Sequence, residues 1–437
     1  MKKIKTFPVL DGNNSWYDIT PYKNQLKSEN LNGNANFDYV IIGGGFTGIS
    51  AARRLAELKP NASIAVFDAL KVGQGASGRN SGFMLDVPST VKAKGFDLKR
   101  DSKTLELNRF GIRRLKQLVD QYGIKADWEE SGKYFGANQK ENFQKVDELV
   151  DVLEKLDVPH QVFNQKELTK KMGTNYYTRA VYTSRDILVN PASLIIGLAQ
   201  SLPDNIKIFE NTPLRSMQLQ GEKRLKFDHG EIKTHHVIFA TNAFNDPLHV
   251  AKSRLAPMFT YASMTRVLTK KELSAFKGVK SYGLTPAHDA GTTLRFTSDN
   301  RILIRNTLRA SLTSDDTVLN KAREQHRKSL VNRFPQLLNV PFEYCWGGNI
   351  CITLNGQAQF SENQKGVFSV AGMNGTGIVK GTFLGHYMAE YVCGEKSSEL
   401  DFIMSHSQPS WVPPEPFRGL GAGARLYMEQ RAADMEV

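Results

Sequence analysis

Between Tyr39 and Asp68 the chain reads as a short apolar run, a glycine-rich turn, a helical repeat and a second apolar run ending in an acid. Gly43-Gly-Gly45-Phe-Thr-Gly48 follows Tyr39-Val-Ile-Ile42 in a G-x-G-x-x-G arrangement. There the first glycine permits a tight turn, the second lets backbone approach a pyrophosphate, and the third lets helix pack on strand. Ile49, Ala52 and Ala56 recur at helical spacing and give the following helix a buried face. Its unpaired first N–H groups and the positive end of its dipole form a site for a phosphate. Asp68 closes the second run, Ser63-Ile-Ala-Val-Phe67, twenty positions after Gly48 (68 − 48). A carboxylate at that place accepts hydrogen bonds from adenosine ribose hydroxyls, which favours an unphosphorylated ribose over NADP. These features together predict a parallel α/β sheet that holds a dinucleotide, with FAD and NAD both open.

The next stretch bears on that choice. Ala69-Leu-Lys-Val-Gly73-Gln-Gly75-Ala-Ser77-Gly78-Arg79-Asn80-Ser81-Gly82-Phe83 is a loop of small and polar residues, where an NAD domain would resume its alternating strands and helices. Such a loop suits a run along an extended cofactor, with Arg79 bringing charge to a phosphate and Ser77 and Asn80 giving neutral contacts. Here the chain resembles the D-amino-acid oxidase superfamily of FAD enzymes, in the branch of glycine oxidase, sarcosine oxidase and gamma-glutamylputrescine oxidoreductase, the last being closest in look. Further landmarks fall in order from Asp38 to about Gly394: Val189-Asn-Pro-Ala192, Phe239-Ala-Thr-Asn-Ala243, Trp346-Gly-Gly348 and Ala371-Gly-Met-Asn-Gly375-Thr-Gly377. The resemblance implies FAD as cofactor. It implies cofactor contacts at Gly43, Gly45, Phe46, Thr47, Gly48, Asp68, Ala69, Ser77, Gly78, Arg79, Asn80, Ser81, Leu214, Thr241, Gly372, Asn374, Gly375, Thr376, Gly377 and Ile378.

At 437 residues, a prior of about 150 residues per domain gives two or three domains. The expected class is α/β plus α+β: a discontinuous Rossmann-like FAD-binding domain with an antiparallel-sheet substrate domain. Its expected parts are a leader over 1–36, FAD-binding segments at 37–95, 186–255 and 346–395, substrate segments at 96–185 and 256–345, and a tail over 396–437. Trp16 in the leader reads as an anchor. Apolar residues at helical spacing predict helices over 102–121 and 141–157, and Asn190-Pro191 opens another. Lys133-Tyr-Phe-Gly136, Thr292 to Phe296 and Arg301 to Ile304 read as strands of the second domain, followed by a helix from about Ser314 to Asn332. The tail's proline-rich 409–420 stretch cannot be a simple helix and is expected to wrap the surface.

Lysine and arginine outnumber acids 57 to 44, a net charge of +13 with no single block carrying it. A dispersed excess reads as a solvated basic surface rather than a nucleic-acid groove. No run approaches a spanning helix, and Thr6 to Asn14 lack the apolar stretch of a signal peptide. Three cysteines without metal-ligand spacing suit a reducing cytoplasm. His235 and His236 are adjacent on a strand and point to opposite faces, so no metal site is expected.

In the resembled family the glycine-rich helix start after Val370 stabilises negative charge on the reduced ring's N1–C2=O edge. Gly381 and Gly385 continue that spacing, for close approach to the flavin or for packing. The implied reaction removes hydride from the carbon beside an amine to flavin N5, after which the imine is hydrolysed. The partners are a small amine or amino-acid substrate and oxygen or another electron acceptor. The amine must react neutral, so desolvation suffices and no catalytic acid or base is assigned. Arg295, Arg301 and Arg305 are candidates to hold a substrate carboxylate; Tyr261, Tyr344 and Trp346 are candidate pocket walls. Cys351 is a candidate for a covalent flavin link, as in sarcosine oxidases, against the plain alternative of a small buried hydrophobe. Rival roles are oxidation of an aminomethyl group on a tRNA base and a flavoprotein accessory subunit without turnover.

Overall fold

A computed structural model describes residues 1–251, 253–313, 316–433 and 436–437. The two apolar runs flanking the glycine turn become neighbouring parallel strands, Tyr39–Ile42 and Ile64–Phe67, and every residue of the second is buried. Near-continuous apolar strands of this kind suit a sheet covered on both faces. The sheet has six strands in the order Ile206–Phe209, Ile64–Phe67, Tyr39–Ile42, His236–Phe239, Val367–Ala371 and Gln359–Gln364; only the last pairs antiparallel. Its strands come from three separated parts of the chain.

Two helices lie together over it. Phe46–Leu58 leaves the glycine turn, and Gly377–Cys393 follows the Val367–Ala371 strand. They approach closely because of Gly381 and Gly385, whose added Cβ atoms would stand 2.8 Å from Thr47 Oγ1 and 2.2 Å from the Thr47 carbonyl oxygen. Of the two roles open to these glycines, packing of helix on helix is the one the fold uses.

The second sheet has eight strands in the order Phe342–Ile352, Ala256–Thr265, Ile302–Arg309, Thr293–Phe296, Tyr282–Pro286, Lys133–Ala137, Arg179–Thr183 and His160–Asn164. The expected hairpin pairs Thr293 with Arg305 and Phe296 with Ile302. Period-two alternation gives the sheet two faces. Leu294, Phe296, Ile302 and Ile304 pack in one core with Leu330 of the helix Asp316–Arg333 and with Phe334 just after it, while Ala262, Met264, Leu303 and Trp346 join the core of the parallel sheet. Ser314, the expected start of that helix, lies outside the described residues. The expected domain limit at 345/346 falls inside Phe342–Ile352, which stays paired with Ala256–Thr265 across Trp346-Gly347-Gly348. Gly347 fits within a strand because an added Cβ there would stand 2.1 Å from the Phe259 ring.

The leader is stitched to the body. Lys2–Lys3 and Ala35–Asn36 form the two edges of a small five-stranded sheet, and Trp16 and Tyr17 are buried. The expected helix over 102–121 runs from Leu98 to Tyr122, started by the Asp97 cap, whose carboxylate accepts the Arg100 N–H, and ended at Gly123 with φ +61°. In the tail, Val412 N–H donates to the Ser253 carbonyl, and a helix then spans Phe417–Ala433 immediately after the prolines. Buried Glu436 accepts the N–H groups of Asn138 and Gln139 on its Oε1, so the chain end is tied to the eight-stranded sheet's side of the protein. No helix among the described residues is long and apolar enough to cross a membrane.

Candidate active site

A long cavity begins at the glycine turn. Gly43 takes φ +112°, and an added Cβ would stand 2.7 Å from the Ala240 carbonyl oxygen, so the turn crosses the end of the His236–Phe239 strand with no room to spare. At Gly48 a Cβ would stand 1.8 Å from the Gly43 carbonyl oxygen; this glycine packs the turn and does not face the cavity. Asp68 is enclosed by protein but partly accessible. Its Oδ2 accepts Gly44 N–H at 2.7 Å and its Oδ1 accepts Leu70 N–H at 2.8 Å. Burial raises its pKa against those two donors, and each oxygen keeps lone-pair capacity for a ribose hydroxyl.

The Gly73–Asn80 loop folds over the turn. Ser77 Oγ accepts Phe46 N–H at 3.2 Å, and Asn80 Nδ2 donates to the Ser77 carbonyl at 2.8 Å. Arg79 borders the cavity, yet its guanidinium is otherwise engaged: Nη1 donates to the carbonyls of Asp11 at 2.7 Å and Gly347 at 2.8 Å, and Nε to Gln74 at 2.7 Å. Burial lowers its pKa to about 10. In place of the expected charge on a phosphate, Arg79 clamps leader, loop and strand together.

Among the residues expected to touch the cofactor, Gly43, Gly45, Phe46, Thr47, Asp68, Ala69, Ser77, Asn80, Leu214, Thr241, Gly375, Gly377 and Ile378 line the cavity with Arg79. Gly375 has φ +81° and open space where a Cβ would point. Others have structural duties beside it. Asn374 holds its loop by accepting Thr353 N–H and donating to the carbonyls of Gly356 and Gly372; Thr376 donates to the Met373 carbonyl; the Ser81 carbonyl accepts from Arg295; and the Gly78 carbonyl accepts from Asn14. Gly372, with φ +74°, donates its N–H to Asn242 Oδ1. The sequence reading missed the leader: Ile4 and Thr6–Leu10 also line the cavity. Nothing in their irregular composition marks them.

The substrate candidates separate sharply. Tyr261 is fully buried on the side of the Asp316–Arg333 helix, packed with Phe259 and Ala322, and so faces away from the cofactor-side core. Trp346 donates Nε1–H to the Arg79 carbonyl at 3.0 Å and is a buried part of the same clamp. Tyr344 has Arg301 over its ring and lies against the edge of the core. Arg295 is buried, donates to the carbonyls of Val189 at 2.6 Å and Ser81 at 3.2 Å, and stacks over Trp16 at 4.9 Å. Trp16 is thus the anchor expected. Arg301 pairs with Asp299 and Glu343 and donates to the Thr265 carbonyl. Arg305 differs from both: it makes no hydrogen bond or ion pair with any described residue, and enclosure by protein lowers its pKa. Its register partners are Ala262 and Thr293, which places it on the sheet face that meets the cofactor-side core.

Cys351 borders the cavity among Ala243, Ala251, Leu255 and Ala371, and burial pushes its thiol pKa up to about 12. That is the setting of a packed hydrophobe, not of a thiolate ready to bond a ring. His236 stacks on Tyr39 while adjacent His235 is exposed, as expected of neighbours on a strand. Among the described residues, the ionisable side chains lining the cavity are Asp68, Lys71, Arg79 and Cys351.

A family model described as FAD dependent oxidoreductase matches residues 38–391. The chain belongs to this family. Gamma-glutamylputrescine oxidoreductase of Escherichia coli is 25% identical over 389 residues, covering 84% of this chain and 86% of the relative. A probable oxidoreductase, OrdL, of Haemophilus influenzae is 26% identical over 379 residues, covering 82% and 83%. Among solved structures, glycine oxidase from Geobacillus kaustophilus superposes with a TM-score of 0.70 at 19% identity, covering 83% of this chain and 96% of that one. L-amino acid deaminase from Proteus myxofaciens gives 0.69 at 14% identity, covering 91% and 97%. The family's cofactor fits this cavity. The tight glycine turn opens one end beside Asp68 and Leu214, and the positive N-terminus of Gly377–Cys393 borders the other beside Gly347–Cys351.

Proposed function

We propose that this oxidoreductase oxidises the C–N bond of a small amino acid or related amine whose carboxylate is held by Arg305. The observation that carries this is a half-buried guanidinium with no hydrogen-bond or ion-pair partner among the described residues, on the sheet face turned toward the cofactor side. A half-buried charge without a partner is partly desolvated, and a substrate carboxylate would offset that cost by a bidentate pair. The activities for which relatives and structural neighbours are named, on gamma-glutamylputrescine, glycine and L-amino acids, support a nitrogen-bearing substrate.

Bound FAD supplies the acceptor for the hydride leaving the carbon beside nitrogen. The chain's contribution is placement. Asp68 and the glycine turn hold the adenosine end and the pyrophosphate, and the Gly377–Cys393 N-terminus stabilises negative charge at the opposite end. No histidine, glutamate or tyrosine lines the cofactor cavity among the described residues, and Arg305 lies beyond that lining; the chain's role toward the amine is to strip it of water so that it reacts neutral. The three free thiols, two of them buried, are in keeping with a cytoplasmic enzyme.

The test is an anaerobic absorbance titration of the yellow protein with amino acids, N-methyl amino acids, gamma-glutamyl amines and polyamines. Bleaching by carboxylate-bearing compounds alone is expected, and readmitted oxygen then separates oxidase from dehydrogenase. Bleaching by polyamines alone would remove Arg305 from its role, and no bleaching by any compound would overturn the proposed reaction.

A further inference from the structure

The cavity has a wall outside the stretch the family model matches. Residues 38–391 supply the turn, the loop and the helix start, but Ile4 and Thr6–Leu10 close one side. This segment is pinned at both ends. At its start, Lys2 and Lys3 pair with Met217 and Ser216, Ile4 N–H donates to the Arg215 carbonyl at 2.8 Å, and the Arg215 guanidinium sits 4.7 Å over the Phe7 ring. At its other end, the Asp11 carbonyl accepts both Gly347 N–H and Arg79 Nη1, and Asn13 N–H donates to the Cys345 carbonyl. Gly12 has φ +67°, and a Cβ there would stand 2.1 Å from the Cys345 carbonyl oxygen, so this end is tightly seated.

Between the pins the segment has no regular structure, and Val9 and Leu10 are 62% and 42% exposed. The seven residue-to-residue steps from Ile4 to Asp11 reach at most about 24 Å when extended. Drawn between Arg215 and Gly347, they pass along the cavity from the Leu214 end to the Gly347 end.

We propose that residues 4–10 are a strap that retains the FAD, and that the cofactor enters and leaves by release of the strap at its Lys2–Ile4 end. That end is held by few backbone bonds and one exposed cation–ring contact, whereas the Asp11–Asn13 end shares the Arg79 clamp. The strap closes over the cofactor required by the family, so its failure is read in flavin release and is separate from any failure of the amine reaction.

Two variants of the full holoprotein test this by the rise of free-flavin fluorescence after dilution. In the first, residues 2–10 are deleted and Asp11 onward is kept; release should quicken by at least about tenfold, because losses of contact act mainly on dissociation. In the second, Lys3→Cys and Ser216→Cys place thiols on directly opposed residues next to the hydrogen-bonded Ile4–Arg215 pair, where side chains lie closest. Oxidation should slow release about tenfold and dithiothreitol should restore it. The cysteine pair keeps the whole chain, so it decides the matter even if the deletion fails to fold. Release unchanged on oxidation, with the crosslink confirmed by mass, would overturn the strap.

Discussion

The two sheets carry function in different ways. In the parallel sheet the cavity is built by main chain: turns at Gly43 and Gly375, a loop closed by Ser77, and a helix start at Gly377. Residue type there is dictated by the few ångströms available to a Cβ. In the eight-stranded sheet it is side-chain surroundings that count. Arg295, Arg301 and Arg305 lie close in sequence, yet one braces the fold, one pairs with surface acids and one has no partner among the described residues. A backbone-built site is fixed by local sterics, while a side-chain site is fixed by what other segments bring to it.

The largest effect is expected from Gly48→Val, which sets a side chain against the Gly43 carbonyl and should leave no soluble protein containing flavin, measured by absorbance of the purified fraction. Next, Arg305→Met should cut kcat/KM for a carboxylate-bearing substrate about 100-fold or more through KM, with flavin content intact. The same variant should unfold at equal or higher urea concentration, because a half-buried charge with no partner among the described residues has been removed. Arg295→Met should show the reverse pattern. Losing the donor to the Val189 and Ser81 carbonyls should lower unfolding free energy by about 2–4 kcal/mol, with KM little changed. If Arg295→Met raised KM and Arg305→Met lowered stability, the contrast drawn between the two would be wrong.

A subtler effect concerns His326, which lies under the sheet with Nδ1 2.8 Å from Ser263 Oγ. Burial, aided by the Arg305 charge, lowers its pKa to about 3. An unfolded imidazole protonates near 6.5, so this residue's contribution is present above that pH and is lost as pH falls from 6.5 toward 3. Urea midpoints across that range should decline less steeply in His326→Asn, and Arg305→Met should relieve part of the slope. The smallest effect is at Cys351. Acid should release the flavin from the native protein, and Cys351→Ala should cost about 1 kcal/mol without changing flavin content. Flavin retained after acid denaturation would restore the covalent link.

Read alone, the sequence determined the parallel sheet, its glycine turn, the acid after the second strand and the glycine-rich helix start. Each rests on a local rule: strand patterning repeats every two residues, helix patterning about every 3.6, and only glycine tolerates the Gly43 turn conformation and the close contact at Gly48. Those rules also located the hairpin Thr293–Phe296 with Ile302–Arg309. They did not reveal that Phe342–Ile352 continues through Trp346-Gly347-Gly348, because glycine pairs normally read as a break and here the neighbouring Phe259 ring fills the vacated space. Nor did they reveal that Arg79 clamps carbonyls, that Tyr261 faces the Asp316–Arg333 helix, or that Thr6–Leu10 line the cavity. Those outcomes depend on partners 60 or more residues away along the chain, as in the bond between Arg79 and Asp11, separated by 68 positions. Only the tertiary structure decides which of several similar arginines finds acceptors and which is left to meet a ligand.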